Sequence, residues 1–340
     1  MKAAIFYGKR SLKVEDVSLP TIKEGEILVK VEACGICGTD VHIFNGEEGS
    51  AKVTPPIILG HEFCGTVVET KSKLFNVGDK VSIDPNIYCG VCKFCRSGRP
   101  QLCENLTALG VNINGGFAQY AAVPEKQAIR FENIDFAEAA LAEPLACCLH
   151  GLDRIKIFPT DKVLIIGFGP IGLIMLELVK MYGVDNIFGY EVDDFRKNVA
   201  KNYGVKDIVD EDCKEGSFDV VIECAGTKES IEMAFEKIGK GGRVLVFSVP
   251  SPLVATEICP FEMFRKEAQI FWSFVNPFTQ KLAIELLQQG KINLKHVVTH
   301  KISLAQLPEA LSKKFENQLK VIVRHVVKTY LPPNLLQNRE

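Results

Sequence analysis

Val163-Leu164-Ile165-Ile166-Gly167-Phe168-Gly169-Pro170-Ile171-Gly172 is the stretch on which the fold turns. A strand-length apolar run passes into glycines at Gly-x-Gly-x-x-Gly spacing, and a helix-period segment follows from Leu173 to Tyr182. Strand, glycine turn and helix in that order form the setting in which this pattern binds a dinucleotide. Gly167 permits the tight turn, Gly169 admits a pyrophosphate to the backbone, and Gly172 lets the helix pack closely on the strand. The helix N-terminus then presents aligned N–H groups. A glycine-rich turn without a ligand is the plainer alternative. Against it stands Glu191, at the offset of about 20 residues where a carboxylate accepts from an adenosine ribose. Pro170 and Ile171 share the loop, and further cofactor contacts are expected from Phe247, Ser248, Val249, Ser273 and Phe274 near the ends of later apolar runs.

A carboxylate at Glu191 repels a 2′-phosphate, so NAD is expected rather than NADP, and Asp193 and Asp194 add negative charge to the same effect. Arg196 is the counter-signal: it can neutralise a phosphate, stack on adenine or lie on a solvated helix face, the last being favoured over phosphate pairing.

Working outward, apolar runs recur at Ile187 to Tyr190, Val220 to Ile222 and Val244 to Phe247, with a helix-period segment at Ile231 to Ile238. That alternation predicts a parallel sheet covered by crossover helices. Toward the N-terminus the texture is β-rich and turn-rich, as in Ile27 to Val31, Gly65 to Glu69 and Val77 to Ile83, which predicts an irregular antiparallel or barrel-like domain. Beyond about residue 290 the character is mixed, with a strand-like Val321 to Arg324 and a polar tail, Asn334 to Glu340, expected to be loosely ordered.

A chain of 340 residues suits about two domains, and 47% hydrophobic with 24% charged residues excludes a disordered chain. Forty basic against 42 acidic residues leave a net charge of −2, which gives no basic track for nucleic acid. Met1 to Gly8 offers no signal-peptide core and no later run reaches the roughly 20 apolar residues of a spanning helix, so a cytoplasmic protein without membrane partners is expected. In that compartment the 12 cysteines stay reduced, and clustered ones point to metal.

Cys89, Cys92, Cys95 and Cys103 lie within fifteen residues, among Gly90, Gly98 and Pro100. This spacing suits a tetrahedral four-sulfur zinc site with no position left for substrate, hence a structural one. Unpaired surface thiols or an iron–sulfur cluster are the alternatives. The second constellation is dispersed: Cys37-Gly38-Thr39-Asp40-Val41-His42, then Gly60-His61-Glu62, then Glu143-Pro144. Thiolate, imidazole and carboxylate around zinc cancel its charge and keep it a Lewis acid. Adjacent strand residues point to opposite faces, so His61 and Glu62 can both ligate only where the backbone bends. Cys34, Cys64, Cys147, Cys148, Cys213, Cys224 and Cys259 read as packing residues.

Gly60-His61-Glu62-x-x-Gly65, the four-cysteine lobe, Val77-Gly78-Asp79-Lys80-Val81 and the glycine fingerprint occur in the order and spacing of one family. Over nearly its whole length the chain resembles the zinc-containing medium-chain alcohol and polyol dehydrogenases. The resemblance implies a GroES-like β-rich catalytic domain (1–148 and 285–340, zinc lobe about 86–106) enclosing a doubly wound Rossmann domain (149–284). It further implies two zinc ions per chain. Cys37 and His61 would hold the catalytic ion, with Glu62 or Glu143 completing the set and Asp40 accepting from the free ring nitrogen of His61. Thr39 would take the alcohol proton and pass it through the nicotinamide ribose to His42.

The liver-type enzymes complete their zinc with a cysteine, whereas Glu143-Pro144 is similar to polyol and some threonine dehydrogenases, which implies a polyol oxidised to its ketose. Animal sorbitol dehydrogenases carry a tyrosine and an Arg-Tyr pair where Ile43 and Ser273-Phe274 stand here. Cys37 to Ile43 also resembles L-threonine dehydrogenase, which keeps an amino alcohol as the second substrate class. A nucleotide-binding or redox-sensing protein without catalysis is the alternative of another kind. The resemblance implies homodimers or homotetramers, formed through edge strands near Val244 to Phe274. Phe117 and Trp272 are candidates to line the pocket, simple core being the commoner fate of such rings.

Overall fold

A computed structural model describes residues 1–47 and 52–324. The expected loose tail at 334–340 and the last part of the expected catalytic domain lie outside the described residues.

Val163–Ile166 pairs in parallel with Ile187–Tyr190 on one side and Phe218–Glu223 on the other. All four of its residues are fully buried, as befits a strand covered by helices on both faces. The sheet has six strands, in the order Asp207–Ile208, Ile187–Tyr190, Val163–Ile166, Phe218–Glu223, Ile238–Val246, Gln269–Trp272, every neighbouring pair parallel. Strand order reverses beside Val163–Ile166, which opens a crevice at the carboxyl ends there. Two sequence boundaries shift. Ile238 opens a strand instead of closing a helix, which ends at Lys237. Val77 to Asp79 is a turn, with Val77 63% exposed and Gly78 at φ +97°, and the strand begins at Lys80.

The second large sheet is built from both parts of the chain. Lys320–Arg324 lies antiparallel to Glu26–Gly35, pairing Ile322 with Gly35 and Arg324 with Ala33, and parallel to Val298–Ile302. On its other edge Glu26–Gly35 pairs with Glu62–Thr70. The helix Ala142–Ile155 joins the halves: Leu145, Leu149 and Leu152 share one core with Ile165 of the parallel sheet, with Leu173 of the helix that follows it, and with Ala33 and Ile322 of the other sheet. Among the described residues, no helix is long and apolar enough to cross a membrane.

Candidate active site

Cys37 stands at the N-terminus of the helix Gly38–Phe44, where its N–H donates to Asp40 Oδ2 at 2.9 Å. His61 and Glu62 follow Gly60, whose φ of +92° bends the chain before the strand Glu62–Thr70. A Cβ at Gly60 would meet the Phe117 ring and Cys34 Sγ at 2.8 Å, so only glycine makes this bend. Phe117 is thus core beneath the site and not pocket lining, and Trp272, 57% exposed, lies off the cleft. Cys37, His61 and Glu62 bring their ligand atoms within 4.8 Å of one another, from separate parts of the sequence.

Asp40 is fully buried with Oδ1 3.6 Å from His61 Nδ1. That separation exceeds a hydrogen bond. Asp40 Oδ1 thus faces the ring at charge-contact distance and has no other partner, while Oδ2 of the same carboxylate accepts from Cys37 N. Burial pushes the imidazole toward its neutral form, but Asp40 and Cys37 outweigh it and hold His61 well above its ordinary value. A ring drawn toward its cation by its neighbours marks a pocket short of positive charge. Asp40 Oδ1 and His61 Nδ1 are buried without hydrogen-bond partners, while Glu62 Oε2 lies 2.5 Å from Lys320 Nζ; a sulfur, an imidazole and a carboxylate gathered in one buried place form a donor set that fits zinc.

Glu62 also pairs with Lys320, Nζ to Oε1 at 2.6 Å, both side chains being almost wholly buried. Burial opposes charge on Lys320, yet Glu62 and Cys37 hold its pKa above the usual value. Gly35 makes room: a Cβ there would strike the Glu62 carboxylate and approach Lys320 Cε to 3.0 Å. Glu143 lies outside the 4.8 Å cluster but lines the same cleft, and burial lifts its carboxyl to about 7, with His61 opposing and Glu62 reinforcing. Cys147, one turn along the helix, sits 3.4 Å from Glu143 Oε1 and faces the cleft together with Cys224, so neither is packing alone.

The cleft encloses about 360 Å³. From one half it is lined by Cys37, Thr39, His42, His61, Glu62 and Glu143, and from the other by Ile171, Phe247, Ser248, Val249, Ser273 and Phe274. Thr39 and His42 are three residues apart on the helix Gly38–Phe44 and so share a face. His42 Nδ1 meets Glu47 Oε2 at 2.6 Å on the partly exposed outer side.

At the nucleotide end Gly167 has φ +89°, and a Cβ on Gly172 would overlap the Gly167 carbonyl, so both glycines are sterically required. The helix Pro170–Met181 begins at that turn. Glu191 accepts from Phe168 N at 2.7 Å and from Val192 N at 2.8 Å, which ties its carboxylate to the glycine turn. Arg196 does not extend along a solvated face: it is half-buried, with Nη1 3.8 Å from where a Cβ on Gly169 would sit and Nη2 3.4 Å from the Gln318 carbonyl.

Glu223 was not singled out by the sequence. Fully buried, it accepts from Ala225 N and Gly226 N at 2.7 Å and from Ser230 Oγ at 2.8 Å, and it bonds Ser248, so it holds two cleft-lining loops together. Its only signal was an acidic residue closing the apolar run Val220 to Ile222.

In the lobe, the sulfurs of Cys89, Cys92, Cys95 and Cys103 also lie within 4.8 Å of one another, Cys89 to Cys95 at 4.0 Å. Thiolates about 2.3 Å from a tetrahedral zinc stand roughly 3.8 Å apart, so the spacing suits that ion. Backbone N–H groups point at the sulfurs, Cys92 N to Cys89 at 3.4 Å and Cys89 N to Cys103 at 3.3 Å. Backbone donors from Cys95 and Glu104 pull the Cys92 thiol down to about 6.

Residues 23–133 match the alcohol dehydrogenase GroES-like domain and residues 170–289 the zinc-binding dehydrogenase domain. The chain belongs to the zinc-binding alcohol dehydrogenase family. This zinc-binding dehydrogenase is 36% identical to D-arabinitol dehydrogenase 1 of Uromyces fabae, over 94% of this chain and 96% of that protein. It is 32% identical to sorbitol dehydrogenase of Bacillus subtilis (95% and 97% covered) and 31% identical to L-threonine 3-dehydrogenase of Caldanaerobacter subterraneus (93% and 96%). Among solved structures, a zinc-binding dehydrogenase of Sinorhizobium meliloti bound to NADP superposes with a TM-score of 0.90 at 36% identity, covering 95% of this chain and 99% of that one. An alcohol dehydrogenase of Escherichia coli complexed with NADH gives 0.87 at 27% identity, with 96% and 99% covered.

Proposed function

We propose that this dehydrogenase oxidises a polyol to its ketose by hydride transfer to NAD, using zinc held in the cleft. The observation that carries the reading is that cleft, where a thiolate, an imidazole and buried carboxylates face the glycine turn of a dinucleotide site. In this reading Cys37, His61 and Glu62 would hold the catalytic zinc, because they share one donor cluster, while Glu143 lines the same cleft beside them. Cys89, Cys92, Cys95 and Cys103 hold a second, structural zinc. Bound zinc supplies a Lewis acid that lowers the pKa of an alcohol, and bound NAD supplies the hydride acceptor.

The chain's residues do the rest. The Thr39 hydroxyl would accept the alcohol proton, and His42, partly exposed on the same helix face, would release a proton to solvent. Ile171, Phe247 and Val249 keep water from the transfer, and Glu143 orients the substrate hydroxyls. Glu191 would accept from the ribose diol of a bound dinucleotide, and its charge with Asp193 and Asp194 would favour NAD over NADP. We take 1–148 with 285–340 as the catalytic domain and 149–284 as the cofactor domain, and the assembly as a homodimer or homotetramer. The threonine dehydrogenase relative keeps an amino alcohol as the second reading.

The test is NADH formation with pentitols, hexitols, L-threonine and short diols, each with NAD and NADP, alongside metal analysis. Turnover of a polyol with NAD and about two zinc per chain is the expected result. Turnover of L-threonine alone moves the assignment to an amino alcohol, and no turnover by metal-loaded protein overturns the enzyme reading.

A further inference from the structure

Behind the cleft wall lies a buried carboxamide that touches neither metal donors nor glycine turn. Ser273, Phe274 and Val275 form that wall on the cofactor side, between the edge strand Gln269–Trp272 and the helix Gln280–Gln288. Val275 has φ +49° and Phe278 φ +62°. Neither is glycine, and a β-branched residue in the left-handed region is a costly conformation that persists only where its surroundings over-determine it.

Asn276, between them, is fully buried, and the cleft does not include it. Its Oδ1 accepts from Asn86 Nδ2 at 2.5 Å and its Nδ2 donates to Gln280 Oε1 at 3.0 Å. Gln280 continues to Ser82 Oγ at 3.1 Å and the Ile83 carbonyl at 3.3 Å, while Thr279 Oγ1 donates to the Ala146 carbonyl at 2.8 Å. Asn86 is itself fixed from the catalytic side, its N–H bonding Asp84 Oδ1 at 3.0 Å and its carbonyl accepting from Gln127 at 2.8 Å. Asn86 and Pro85 line the same cleft as Val275. The network therefore spans positions about 190 residues apart and ends on both sides of the cavity.

We propose that Asn276 is a positioning residue for the alcohol substrate: its carboxamide fixes the strained wall Ser273–Val275 against Asn86, and so sets which secondary alcohols fit opposite the metal donors. A well-packed apolar pair would fill the same space without demanding a single register, whereas a satisfied amide chain admits one arrangement. That arrangement also sets Ser273, which lines the cleft and whose Oγ is buried without a hydrogen-bond partner. The inference rests on the polyol reading above.

The test compares Asn276→Leu with wild type on a pentitol and on a short diol, together with KM for NAD and Tm. The expected result is a loss of about ten- to a hundredfold in kcat/KM for the pentitol, with the short diol changed less than about threefold and KM for NAD unchanged. Gln280→Met leaves the cleft lining intact and removes one bond to Asn276. It should shift the pentitol-to-diol ratio in the same direction but less, and it keeps the proposal open to refutation if the leucine variant fails to fold. Equal losses on both substrates, or an unchanged ratio in Gln280→Met, would mean a merely structural anchor and overturn the proposal. If wild type turns over no polyol, the functional reading fails; if it does and the variants keep its ratio, only this inference fails.

Discussion

The four-cysteine lobe and the donor cluster in the cleft each gather metal-ligating atoms within 4.8 Å of one another, yet they are built in opposite ways. The lobe takes every ligand from one short stretch, half of it exposed, and steadies its sulfurs with backbone N–H groups of that stretch. The cleft takes Cys37 from a helix start and His61 and Glu62 from a bend, and steadies them with Asp40 and Lys320, the latter 258 residues from its partner. A site that only braces the chain can be local. One that must keep a position open for substrate carries uncompensated charge in a buried place, and the compensation comes from the rest of the fold.

Replacing one sulfur in each region gives the largest contrast. Cys37→Ser should lower alcohol oxidation more than about 1,000-fold and cut metal content from about two zinc per chain to about one, with little change in Tm. Cys92→Ser should also remove about one zinc but cost several kcal/mol of stability, the remaining folded molecules keeping their turnover. Metal analysis of both variants beside thermal melts reads the difference, and equal losses of activity would erase the distinction.

Removing the distant partner comes next. Lys320→Met leaves the Glu62 carboxylate buried without its cation and should cost about 3–5 kcal/mol in a urea titration. Adding Glu62→Gln should restore most of that stability but not the activity. A single variant as stable as wild type would show that Glu62 needs no partner of its own.

The smallest effect sharpens the comparison where the regions meet, at Asp84. Burial lifts its carboxyl to about 6, against the opposing hydrogen bonds of Asn86. The folded state thus holds this proton more tightly than the unfolded chain does. The stability it contributes is complete below about pH 4 and lost as pH rises through about 6. Asp84→Asn should therefore exceed wild type by about 1–3 kcal/mol at pH 8, the gap closing as pH falls toward 4. A pH-independent difference would contradict the burial argument.

What could be read from residue order follows the same divide. The glycine turn, the lobe and the bend at Gly60 to Glu62 depend on neighbours in sequence, and each is where the spacing placed it. Lys320 gave no sign of itself, because its meaning comes from Lys320–Arg324 crossing to Glu26–Gly35. Glu223 and Asn276 were equally silent: a lone acid after an apolar run and an asparagine before a proline become anchors only when loops from other strands close on them. Cys147 follows Glu143 on an expected helix and read as packing because burial is the commoner fate of such thiols, whereas its sulfur meets Glu143 Oε1 at 3.4 Å. The Arg196 side chain was misplaced because Gln318, which draws it inward, arrives from the far part of the chain.

That crossing strand has a bearing on synthesis. Emerging from the ribosome, the first 319 residues contain every residue of both donor clusters and the whole nucleotide fold, but not the ammonium group that pairs with Glu62. A prematurely terminated product would carry an open edge at Ala33–Gly35 and an orphaned acid beside it, features by which quality-control proteases could tell it from the finished enzyme.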